Sequence, residues 1–262
     1  NIAYGAIMNR PSILVETHML KPYDVRVRAT YNLLKRTLEL VNADPDALRS
    51  SVRLGDEHSS ALARNAKKRA VLTTTQPARD DGAPMTFKAY TVDSKRSEAS
   101  GSEIPVWNHA KPINVPSRLF SKSDVAQDVT LPSAYIVPAQ WTDVIHRLEL
   151  HGLPLERLSE PKSFDVASYR FSGVCWKEQP FEGRHEVSYK VEPIRESRLF
   201  PKGSVIVKLD HPNAVVAAHL LEPEAPDSLV HWGFFDPIFE QKEYYDDYSM
   251  APIADRMLTE DA

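Results

Sequence analysis

The feature that most limits the fold lies near the start of the chain. A short apolar run over residues 12–17 (SILVET) leads through Pro22 into one long amphipathic stretch. Pro22 stands where a helix can begin, because its missing N–H is one of the donors the first turn leaves unpaired anyway. Val27, Tyr31, Leu34, Leu38 and Val41 then recur at steps of four and three, which is one apolar face of a long helix. The run before it reads as a buried strand. Asp44-Pro45 closes the helix and offers an N-cap for a second, more polar helix over about 45–68. One strand leading into one long helix is a piece of α/β architecture, too little to close a domain. The missing strands are expected before Asn1. With no Met and no basic-then-apolar leader, the start reads as a cut inside a longer polypeptide.

Beyond residue 69 the pattern changes. Residues 71–75 and 85–92 are β-branched and aromatic, with the turn-like Asp80-Asp81-Gly82 between them. Residues 93–134 are polar and Pro-rich, and read as a long loop or linker. Residues 138–152 read as a helix with Trp141, Val144, Ile145 and Leu148 buried and Gly152 as C-cap. Residues 164–171, 186–191 and 204–209 read as strands. Asp210 is placed to cap a helix over about 211–221 with Pro212 in its first turn. Aromatic clusters follow (Trp232, Phe234, Phe235; Tyr244, Tyr245, Tyr248), then a short helix near 251–259. The expected fold class is therefore α/β. A strand-plus-helix remnant over 1–69 is followed by a mixed, β-rich α+β module over 70–262, with the loop or linker at about 93–134.

Composition narrows the function classes. The 262 residues allow roughly two domains and a sizeable core. No run of about 18 apolar residues exists, so no membrane span is expected. The single cysteine, Cys175, excludes an internal disulfide and reads as buried packing beside Trp176. Nine scattered glycines form no phosphate cradle or dinucleotide fingerprint. Residues 221–262 carry eleven acids against two bases, which argues against nucleic acid as a partner.

Glu16 is the first candidate for chemistry. It ends the apolar run where the chain turns toward a helix, and the carboxyl ends of strands line ligand crevices in α/β sheets. A carboxylate partly desolvated there suits general acid/base work. A solvated strand-end Glu, or one paired with Arg10, Lys21 or Arg26, is the structural alternative. His18 follows by two, on the same side of an extended chain. It orients the glutamate, contacts substrate, or simply faces solvent or core. Two His-x-x-Glu spacings, His146/Glu149 and His219/Glu222, put two potential ligands on one helix face, but a zinc site needs more. Both read as surface pairs.

The block over residues 9–23 (NRPSILVETHMLKPY), followed by Arg26 and the helix, resembles a stretch of the zinc carboxypeptidase family, the metallopeptidases related to carboxypeptidase A. The resemblance covers about residues 1–44. It implies that Glu16 is the catalytic glutamate that takes a proton from zinc-bound water and gives it to the leaving amine. Tyr4 resembles a residue of the same segment without an assigned role. Residues 204–250, including 220–235 (LLEPEAPDSLVHWGFF) and 239–244 (FEQKEY), resemble a C-terminal extension of bacterial members. The family holds zinc through a His-x-x-Glu pair and a later His, all upstream of the glutamate. Only fifteen residues precede Glu16 here and none is His, so no metal ligand is expected in this chain. The resemblance thus implies the C-terminal segment of a zinc metallocarboxypeptidase acting on peptide or protein C-termini, secreted or periplasmic, and inactive as this segment alone. The competing expectation is a non-catalytic module over 70–262 that binds peptide or glycan through its Trp and Tyr clusters, unless those clusters form its own core.

Overall fold

Local caps set the helices of the N-terminal part. The computed structural model describes all residues except Asn1, Leu20, Ala66, Ala78, Arg79, Lys242, Tyr244, Asp261 and Ala262. Helix α1 (Ile2–Ile7) ends where Asn9 takes a positive φ of 57°, a conformation asparagine tolerates. Helix α2 (Tyr23–Ala43) starts directly after Pro22. Helix α3 (Pro45–Leu62) is capped by the Asp44 side chain, which accepts from the Ala47 N–H at 3.0 Å. It stops at Leu62 rather than near 68, and beyond it the Asn65 side chain accepts from the Lys67 N–H at 3.0 Å. The apolar face of α2 forms as its spacing predicts, yet none of its residues is buried.

The expected strand over 12–17 does not form. Residues 11–18 have no regular structure, and Ile13 and Leu14 are 67% and 61% exposed. A strand exists only through pairing, and no described strand lies beside this run.

The chain divides into two compact units, one of residues 1–70 with 129–262 and one of residues 71–128. The smaller contains β1 (Ala70–Thr75) paired with β4 (Asp124–Val129), and a long antiparallel hairpin of β2 (Ala83–Arg96) and β3 (Glu103–Leu119). The hairpin register runs from Ala83↔Leu119 to Arg96↔Glu103, with an irregularity after Tyr90. Gly101, at φ 69°, turns its tip. The expected loop over 93–134 is thus largely strand. Its prolines 105, 112 and 116 fit because each strand of a two-stranded ribbon has one outward edge that needs no donor. Its apolar pattern is weak because both faces are open, with Ile104, Val106 and Trp107 exposed.

The larger unit adds a three-stranded antiparallel sheet in the order β5 (Ala134–Val137), β9 (Val205–Lys208), β6 (Leu155–Arg157). It also has the ribbon of β7 (Lys162–Trp176) and β8 (Val187–Phe200). Helix α4 (Thr142–Leu150) buries Val144, Ile145 and Leu148, and Gly152 follows it at φ 68°. Helix α5 (Ala214–Leu221) is apolar nearly all round, and α1 and α3 pack on it. It starts later than expected, since Asp210 is an ion-pair partner of Arg64 at 3.3 Å rather than a cap. Val205, Val207, Leu209, Val216 and Leu148 are fully enclosed. Helix α6 (Asp247–Glu260) buries nothing. Residues 1–70 therefore belong with 129–262, whereas the expected split at residue 69 had joined 70–128 to the later segment.

Both ends of the smaller unit meet in the β1–β4 pair, the arrangement that lets a domain insertion be removed. Replacing residues 72–128 with a Gly-Ser turn is expected to shift the melting temperature of the remaining chain by no more than about 3 °C, the equivalent of ~1 kcal/mol at this size. Loss of a cooperative melt by circular dichroism would show that the units depend on each other.

Candidate functional site

The segment that carries Glu16 is tethered at its N-terminal side. The Tyr4 hydroxyl meets His151 Nδ1 at 2.8 Å. Asn9 Nδ2 donates to Ser59 Oγ at 2.9 Å and to Asp56 Oδ1 at 3.2 Å. Arg10 grips the same carboxylate with two N–H groups, at 2.9 and 3.2 Å. Gly55 makes this approach possible, because a Cβ there would lie 2.9 Å from the Asn9 Cβ. Residues 11–18 have no regular structure, and Glu16 and His18 are both exposed. The structure places the two close in sequence but brings neither into a described cluster of catalytic side chains.

The Arg10 hydrogen bonds hold the Asp56 carboxyl below its ordinary value of 3.8. A depressed carboxylate contributes stability that is complete above its unfolded value and is lost as pH falls through the folded one. Asp56→Asn is therefore expected to destabilise the chain by up to about 1 kcal/mol at neutral pH, since the pair is part-exposed. The gap to wild type should close only below pH 3.8. Urea unfolding at a series of pH values checks this, and a gap that persists at the acid end would refute the assignment.

Neither His-x-x-Glu pair forms a ligand set. His146 Nδ1 lies 3.8 Å from Glu149, whose carboxylate is already bound by Arg157 at 2.8 Å on the surface. Glu222 departs from the expected surface pair: it is only 5% exposed. One of its oxygens accepts from the Tyr135 hydroxyl, and the other from the Tyr169 hydroxyl at 2.7 Å. Burial, and then the Glu222 charge, push the Tyr135 phenol far up. Burial, and then the hydrogen bond to Glu222, raise Tyr169. Among the described residues no three His, Cys, Asp or Glu side chains converge as a metal site.

Cys175 also departs from expectation and is exposed. It lies just past an irregularity in the β7–β8 register, near the end of a ribbon only two strands wide. Of the aromatic clusters, Phe234 is held between Arg147 and Arg184, whose guanidinium carbons lie 4.3 and 3.5 Å from its ring centre. Tyr245 and Tyr248 are exposed, and Tyr244 lies outside the described residues.

Sequence reading missed two features. One is the buried Glu222 with its two tyrosines. The other is an aromatic groove of about 830 Å³ in the larger unit, between the β7–β8 ribbon and the segment around Phe235 and Phe239. The available signal was the aromatic density after residue 230, but the opposing wall comes from residues far away in sequence.

The chain is 30% identical over 118 residues to carboxypeptidase 2 of Trichophyton rubrum, a match covering 42% of this chain and 22% of that protein. It is 29% identical over 117 residues to carboxypeptidase 2 of Trichophyton tonsurans, covering 44% and 22%. It is 28% identical over 98 residues to a probable carboxypeptidase 2 of Arthroderma benhamiae, covering 37% and 19%. Each match thus spans about a fifth of the length of the curated relative concerned. No family model matches, and no solved structure matches. These distant, partial matches support a relationship to carboxypeptidases.

Proposed function

We propose that this chain is the C-terminal segment of a zinc-dependent metallocarboxypeptidase that removes residues from peptide or protein C-termini, secreted or periplasmic. The observation that carries the reading is the state of residues 11–43. A run without regular structure that bears the exposed Glu16 leads into a 21-residue helix with a complete apolar face and no buried residue. A bare apolar face suits a piece of a larger domain, and the partial similarity to carboxypeptidases supports a peptidase activity. The described residues form no zinc ligand set; in this reading the ligands lie in polypeptide outside this chain. Bound zinc would supply Lewis-acid polarisation of the scissile carbonyl. Within the chain, Glu16 accepts a proton from the attacking water and returns it to the leaving amine. His18, two residues further along the same segment, contacts substrate.

The test is release of the C-terminal residue from an N-blocked peptide by the full-length polypeptide, measured before and after chelation and after zinc is restored. Release that is lost and then recovered is expected. A zinc-loaded protein that releases nothing overturns the reading.

A further inference from the structure

Two apolar surfaces of the larger unit stand uncovered, and they are close neighbours in sequence. The first is the aromatic groove of about 830 Å³, which the proposed chemistry does not use. Trp141, Phe171, Leu199, Phe235, Ile238 and Phe239 line it. Its rings interlock edge to face: Trp141 meets Phe235 at 4.8 Å and 61°, and Phe171 meets Phe239 at 5.3 Å and 76°. Phe239 also meets Trp176 and Tyr189, so this wall is fixed. Ile238 and Leu199 are nevertheless 47% and 66% exposed. The charged side chains of the lining are matched already. Arg198 lies 3.6 Å from Glu196, and Arg170 stands opposite Glu192 across the ladder. An occupant is therefore selected by apolar shape rather than by charge.

The second surface is on α6. Met250, Ile253, Ala254 and Met257 fall at i, i+3, i+4 and i+7, which is one stripe of a helix, and Leu258 borders it. Asp255, Arg256 and Thr259 take the other side. The helix buries nothing, and Ile253 and Met257 are 43% and 58% exposed. Anchors at this spacing are how an amphipathic helix enters an apolar groove. They span about 10 Å of helix axis at ~1.5 Å per residue. The thioethers of Met250 and Met257 suit a wall of aromatic rings, against whose edges sulfur packs favourably. Asp247, the first residue of α6, follows Phe239 in the groove wall by eight positions. So short a tether presents the helix to the groove at an effective concentration on the order of millimolar.

We propose that α6 is a strap for this groove. It folds back within its own chain and lays Met250, Ile253 and Met257 among the rings, and the uncovered helix seen here is the open state. With a dissociation constant of ~0.1 mM for the free helix, the closed state outweighs the open one by about ten to one. The closed strap keeps the aromatic wall from water and from other apolar segments.

The probe is a fluorescein-labelled peptide of residues 246–260, followed by fluorescence anisotropy against the 262-residue chain and against a chain ending at residue 245. Because α6 buries nothing, the shortened chain keeps its core and should give a cooperative melt. The peptide is expected to bind the shortened chain with a dissociation constant below ~1 mM, and the 262-residue chain about tenfold more weakly because its own helix competes. Ile253→Asp in the peptide should abolish binding. Leu199→Glu or Ile238→Glu in the shortened chain should weaken it at least about tenfold, since each puts a carboxylate into an apolar contact. Both positions are exposed, so the fold survives the change. In the 262-residue chain, amide exchange over residues 247–260 should be faster in Ile253→Asp than in wild type. No binding to the shortened chain at millimolar concentration, equal binding to both chains, or binding indifferent to the groove substitutions overturns the proposal. So does an Ile253→Asp chain whose α6 exchanges as wild type does. A dimer seen by light scattering that is lost when α6 is removed also overturns it, because the helix then docks on a second copy.

Discussion

Glu16→Gln in the full-length polypeptide is expected to lower turnover by at least ~10²-fold, the usual contribution of a positioned general base. The substitution keeps the shape of the side chain and removes only its ability to carry a proton. Glu16 is exposed and makes no side-chain hydrogen bond among the described residues, so the change removes no core contact. A fall in kcat with KM little changed would therefore report on chemistry, since an interaction made only in the transition state lowers kcat and kcat/KM together. The melting temperature and zinc content should match wild type. Turnover within about threefold of wild type would remove Glu16 from the mechanism. The bare face of α2 leads to the same experiment by another route. If residues 11–43 are covered in the longer polypeptide, amide exchange should be slower there than in the 262-residue chain, and Glu16 would then stand at the edge of a shielded site.

Which parts of the molecule were legible in its sequence follows from the range of the forces involved. Pro22 and Asp44 act within one turn of their own helices, and both helices begin where those residues place them. Val144, Ile145 and Leu148 encode a helix face within five residues, and all three are buried. The run over 12–17 has the composition of a strand, but pairing is non-local, and nothing in the described chain supplies the neighbour. The β2–β3 hairpin was hidden for a different reason. A ribbon open on both faces has no burial requirement to impose alternation, and its prolines resemble those of a linker. The Glu222 site depends on Tyr135 and Tyr169, which lie 87 and 53 residues away in sequence, so no local pattern could mark it. The helical spacing of His219 and Glu222 was visible. That one of them would turn inward to two phenols was not.

Removing both hydroxyls from that site, as Tyr135→Phe with Tyr169→Phe, is expected to destabilise the chain by about 3–5 kcal/mol, the usual consequence of leaving a buried charge uncompensated. Glu222 sits at the C-terminal end of α5, where the helix dipole disfavours negative charge, and no cation pairs with it among the described residues. The two phenols therefore carry the compensation between them, one on each oxygen. Each single Phe substitution should cost about 1–3 kcal/mol, the range for a buried acceptor that loses its donor. Adding Glu222→Leu to the double variant should recover most of the loss, because an apolar replacement of a whole buried polar network is often neutral or better. Urea unfolding of the four variants, with slopes compared to exclude a change in the denatured state, measures all of these terms. A double variant within about 1 kcal/mol of wild type would mean that water, not the tyrosines, satisfies Glu222. A triple variant as unstable as the double would mean that the phenols act through packing of the β5 and β7 strands rather than through the carboxylate.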